Sequence, residues 1–130
     1  MRTVLHRPQR DLLAWYFSRG ADNPEAVSAE DFEVYARTLQ LPNALRAGME
    51  YFAAVWDDAE DNKAAANTKL RMPVLALGGK AAIAQGVEAW ASQVAENVKG
   101  VVLDGAGHWL TDERPKGLAA ARLQFFAHEL

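Results

Sequence analysis

Cysteine is absent from the chain, so disulfides and thiolate metal sites are excluded. No two histidines stand at a metal-ligand spacing such as H-E-x-x-H, and the sequence calls for no metal and no other cofactor. Long apolar runs are missing too: nothing approaches the ~20 residues a membrane helix needs. Nor is there an excess of basic charge. Fourteen Lys and Arg stand against 17 Asp and Glu, a net charge of −3, whereas nucleic-acid-binding domains usually carry a basic patch. Arg2, Arg7 and Arg10 precede LLAWYF, but that apolar stretch is too short for a secretory segment. Internal repeats and low-complexity tracts are lacking. These absences predict a soluble cytoplasmic protein with neither nucleic-acid nor membrane partners.

What remains is ordinary globular composition, half hydrophobic and 24% charged, over 130 residues. That length suits one domain with a moderate core. Residues 8–19 predict a helix opened by Pro8 and closed by Gly20, with Leu12, Trp15, Tyr16 and Arg19 on one face. Ser28 and Asp31 resemble a capping box for a second helix running to about Gln40. Phe32, Tyr35, Ala36 and Leu39 form its apolar stripe. Asn43 is the expected cap of a third helix, with stripe Leu45, Met49, Phe52 and Trp56. The polar stretch 57–69 reads as a helical tail or a linker.

At Leu70 the character changes. PVLALGG (73–79) is the continuous apolar run of a parallel strand buried on both faces, stopped by Gly78 and Gly79. Residues 84–97 predict a helix with Val87, Trp90, Ala91 and Val94 on one side. Val101, Val102 and Leu103 make a second short strand. This order predicts a parallel βαβ unit, right-handed by the general rule. After that strand come two glycines, Gly105 and Gly107, read as tight-turn residues, and then His108. In open α/β sheets this carboxyl-end edge is where ligands bind. Thr111 is a candidate N-cap, and Pro115 suits the first turn of a last helix with Ala119, Leu123, Phe126 and Leu130 on one side. The fold class is therefore α/β, with a helical segment (1–69) followed by a β-α-β-α segment (70–130).

PVLALGG at 73–79, AGHWLTDERP at 106–115 and the closing LQFFAHEL together resemble the C-terminal end of an α/β-hydrolase of the epoxide hydrolase and dehalogenase type. WYF at 15–17, NP at 23–24 and ALRAGMEYF at 44–52 resemble the second half of that family's lid. The resemblance implies a partial α/β-hydrolase fold in which His108 is the general base that activates a hydrolytic water. It also implies a small-molecule substrate, with Trp109, Tyr51 and Phe52 as binding candidates. A lid tyrosine of the family maps onto Phe52, and the arginine after it onto Ala53.

The remaining machinery is not in view. The family's nucleophile sits on a strand-to-helix turn ahead of the lid, and no G-x-S-x-G or G-x-D-x-G pattern occurs in this sequence. The acid that many members place after the first strand falls on Ala81. Asp104 and Glu113 flank His108 but read as strand-end and helix-start carboxylates. His6 and His128 read as solvated. Two functions follow: a hydrolase portion inactive alone and completed by an N-terminal half, or a non-catalytic binding module built on the same fold. An isolated two-stranded sheet is marginal, so the strand at 73–78 predicts pairing in a homodimer or with that half.

Overall fold

The structure, a computed structural model, describes residues 7–129, with side chains from Pro8 to His128. His6 and Leu130 lie outside the described residues. Helix α1 (Arg7–Gly20) ends at the expected glycine, and α2 (Ala29–Leu39) starts behind Ser28. The Ser28 hydroxyl accepts from the Asp31 N–H (3.1 Å) and donates to the Asp31 carboxylate (2.6 Å). The short Asp thus pairs with the hydroxyl, where a longer Glu reaches the backbone N–H. Phe17 joins the two helices, its ring 6.3 Å from Phe32 and 5.4 Å from Tyr35, and Arg10 forks onto Glu33.

The third predicted helix is two. Helix α3 (Ala44–Ala53) stops, Ala54 turns, and α4 (Val55–Ala65) begins, so Trp56 leaves the α3 stripe and stands 79% exposed on α4. The stretch that read as tail or linker is largely this fourth helix. Asn43 precedes α3 but makes no side-chain cap: its φ of 64° turns it into the left-handed region, away from the extended geometry a capping side chain uses.

Strand β1 (Val74–Gly79) pairs in parallel with β2 (Val98–Leu103), from Val74 opposite Val98 to Gly79 opposite Leu103. The second strand starts three residues earlier than its apolar run suggests, because backbone pairing extends through Lys99 and Gly100. A Cβ at Gly100 would collide with the Glu88 side chain, so the strand is bare where α5 (Gly86–Val94) crosses it. That helix is shorter than 84–97: Ala84 takes a φ of 48° and the chain turns until Gln85. Gly78 and Gly79 end β1 from inside it, both buried.

Helices α6 (Leu110–Glu113) and α7 (Pro115–Glu129) close the chain. Pro115 opens α7 as expected. Thr111 caps neither helix; it lies within α6, its hydroxyl on Asp112 (2.8 Å). The buried side of α7 holds Leu118, Ala121 and Phe125, while Leu123 is 70% and Phe126 50% exposed. The predicted stripe therefore faces outward: α7 is apolar nearly all round, and periodicity does not choose a face there.

The buried core is thin. Ala76 on β1, Ala95, Ala106 and Phe125 gather around the sheet, and Ala36 lies among the helices. The chain exposes 9697 Å² of surface. A compact monomer of 14.3 kDa exposes about 6,800 Å². Large apolar side chains stand exposed, among them Trp56, Leu123 and Phe126.

Candidate functional site

Beyond Leu103 the chain turns at Asp104 and Gly105, the latter at φ 70°, a value that favours glycine. The Lys80 ammonium grips Asp104 (2.9 Å) and holds its carboxyl below the ordinary range. The N–H groups of Lys80 and Ala81 donate to the carbonyls of Leu103 and Ala106 (both 3.0 Å). The loops leaving the two strands are thereby stitched together.

Gly107 is a glycine for space, not for a positive φ. A Cβ there would overlap the Gly20 carbonyl oxygen and lie 2.7 Å from the Asp22 nitrogen. A Cβ on Gly79 would overlap the Gly107 carbonyl, and one on Gly20 would lie 2.9 Å from Trp109 Nε1. Gly79 and Gly107 thus let the end of β1, the histidine loop and the end of α1 meet backbone to backbone, and Gly20 leaves room for the Trp109 ring. The contact is sealed by the His108 N–H, which donates to the Gly20 carbonyl at 2.6 Å.

Glu113, which local sequence presents as a helix-start acid, does far more. Its Oε2 accepts from the N–H groups of Gly107 (2.8 Å) and Trp109 (3.2 Å). Its Oε1 accepts from those of Asp22 (2.5 Å) and Asn23 (2.9 Å), in the loop after α1. Those latter partners lie about ninety positions away in the chain, so no local pattern carries the signal.

The His108 side chain is exposed and meets the Trp109 ring edge-on, centroids 4.9 Å apart. Trp109 packs on Phe17 (4.7 Å) and Tyr16 (5.5 Å), and Tyr16 on Phe52 (6.1 Å). An aromatic path therefore runs from His108 to Phe52 through Tyr16, which sequence reasoning placed only on a helix face. Tyr51 touches Phe52 (5.9 Å) but is 77% exposed and faces neither cleft that His108 lines. The Trp109 Nε1 is buried without a partner among the described residues, so Trp109 offers its ring and not its N–H.

One of those clefts, about 300 Å³, lies between α1 and the histidine loop and is lined by Trp15, Tyr16, Arg19, Ala81, His108 and Trp109. The other, about 170 Å³, lies among Leu77, Ile83, Val87 and Leu110. A third hollow of about 380 Å³, lined by aliphatic and aromatic side chains, shares Trp15 and Tyr16 with the first and reaches Leu45, Met49 and Phe52.

Three of the nearby carboxylates are engaged elsewhere. Asp104 is on Lys80, Glu113 is on backbone, and Asp112 accepts from the Tyr35 hydroxyl (3.2 Å), its negative charge raising the phenol above its usual range. Position 81, facing the same cleft as His108, is an alanine. An exposed imidazole beside an apolar cleft is equipped to accept a proton from water, given an acid to orient it. Among the described residues no group of three or more His, Asp or Glu is placed to hold a metal. No helix among them is long and apolar enough to cross a membrane.

No protein-family model matches the chain. Over 105 residues it is 35% identical to a soluble epoxide hydrolase of Corynebacterium sp. (strain C12), covering 81% of this chain and 36% of that protein. Two solved structures superpose closely. Cfl2 from Burkholderia cenocepacia does so at a TM-score of 0.84 and 32% identity, over 96% of this chain and 43% of that one. The ligand-free epoxide hydrolase CorEH does so at 0.80 and 30%, over 95% and 42%. The chain thus spans less than half the length of each relative.

Proposed function

From the premise that this chain has the sequence and fold of the C-terminal portion of an α/β-hydrolase, we propose that it supplies the general-base histidine and part of the lid of an epoxide-hydrolase-like site. The observation that carries the reading is His108, held by its backbone while its exposed ring lines a cleft together with Trp15 and Tyr16. The imidazole takes a proton from the water that hydrolyses a covalent intermediate. The nucleophile, the oxyanion donors and the acid that orients His108 come from an N-terminal half, and the chain alone has no turnover. A small apolar substrate occupies the cleft, with Trp109 lining it and Phe52 in the adjoining apolar hollow. The setting is cytoplasmic.

The test is complementation. The chain is co-refolded with the N-terminal portion of the Corynebacterium epoxide hydrolase, and hydrolysis of an aryl epoxide is followed. Activity should appear and should fall by ~10²–10⁴-fold in His108→Gln, the range of a lost general base. Restored activity that tolerates His108→Gln removes the histidine from that role.

A second reading, a non-catalytic interaction module, draws on the large apolar surface and on Phe52 where the family has a tyrosine. It predicts a stable complex without turnover in that mixture. In either reading the free edge of β1 is the proposed contact, with a second copy of this chain or with the N-terminal half.

A further inference from the structure

A carboxylate offers about four acceptor sites, and Glu113 fills all four with backbone N–H groups. Two of these, Gly107 and Trp109, flank His108, whose own N–H is taken by Gly20. Three successive amides around the histidine are therefore fixed. The other two, Asp22 and Asn23, belong to the loop that follows α1. A carboxylate that only capped α6 would need amides 107 and 109 and nothing more. The second oxygen reaches across to the helical segment, next to the Gly20–Gly107 contact that admits no side chain.

We propose that Glu113 is a positioning residue that binds the histidine loop and the end of α1 into one rigid unit, so that His108 keeps a fixed place in the cleft it lines with Trp15 and Tyr16. It acts through backbone and does not touch the cleft. Glutamine at this position retains one acceptor oxygen and turns an NH₂ donor toward N–H groups. Aspartate keeps the charge but is one methylene too short to span both loops. The inference takes from the proposed function only that His108 is the working group.

The experiment uses the full chain, labelled with ¹⁵N and ¹³C, and needs no turnover, so a failed complementation leaves its outcome unaffected. In the unsubstituted protein, through-hydrogen-bond NMR correlations should link the Glu113 side-chain carbon to amides 22 or 23 as well as to 107 or 109. Correlations confined to 107 and 109 overturn the proposal, and this arm requires no variant to fold. In Glu113→Gln, amide exchange at 22, 23, 107 and 109 should quicken about tenfold or more while β1 amides keep their protection. The His108 ring resonance should shift with them. Glu113→Asp should recover 107 and 109 but not 22 and 23. Faster exchange at 107 and 109 alone, with an unmoved His108 ring, reduces Glu113 to a cap and refutes the inference.

Discussion

Replacing Gly107 by alanine tests the backbone contact at the heart of the site. The added methyl would overlap the Gly20 carbonyl and press on the Asp22 nitrogen, neither of which is a flexible side-chain end. The loop after α1 must therefore retreat, and three bonds go with it: His108 to Gly20 at 2.6 Å, and Asp22 and Asn23 to Glu113 at 2.5 and 2.9 Å. A neutral hydrogen bond contributes about 1 kcal/mol net and one to a charged group about 1.5–3. Taking the low end for the two exposed charged bonds gives a loss of about 4 kcal/mol. A domain of this length holds on the order of 6–20 kcal/mol, and the thin core puts this one near the bottom. Gly48→Ala is the control: it lies inside α3, a Cβ there meets nothing within 4 Å, and the change should stabilise by about 0.5–1 kcal/mol. Urea unfolding followed by far-UV circular dichroism reads both, with coincidence of probes checking two-state behaviour. A loss below about 1 kcal/mol for Gly107→Ala, at unchanged slope, refutes the close contact between α1 and the histidine loop.

Three further outcomes are expected. The isolated chain should show no hydrolysis of epoxides, esters or haloacids, and turnover abolished by His108→Ala would contradict this. Sedimentation at micromolar concentration should find a dimer or larger assembly that Leu75→Lys disperses; a monomer with protected amides at 74–78 would count against pairing through β1. Asp104 should titrate below its ordinary 3.8 because Lys80 bonds it. The small stabilisation this brings is present above the unfolded-state value and is lost as pH falls through the lower folded one. In Lys80→Met the carboxyl should rise toward its ordinary value by ¹³C titration, and high salt should shrink the difference between the two proteins.

The parts legible in the sequence are those with local causes. Ser28 caps α2 because its partner is three residues away, and Gly105 turns the chain because φ is a property of one residue. Strand β1 announces itself by composition. What sequence conceals is set by distant neighbours. Lys99 and Gly100 look unlike strand residues, yet they pair because β1 lies alongside. The face that α7 buries is chosen by the sheet, since Leu123 and Phe126 are as apolar as Leu118 and Phe125. The break after Ala53 has no glycine or proline to mark it. At the site, GHW gave His108 and Trp109, whereas Tyr16 enters only because Gly20 docks on the histidine loop. Glu113 lies beyond sequence reasoning for the same reason.

That docking is made by main-chain atoms and one distant carboxylate, with glycine hydrogens where side chains would otherwise meet. Substitutions elsewhere in the helical segment leave such a joint untouched. Trp15 and Tyr16 can therefore change the shape and polarity of the cleft, and Met49 and Phe52 those of the adjoining hollow, while the histidine backbone stays where it is. A fold jointed this way can reshape its clefts by many small steps without moving His108 each time.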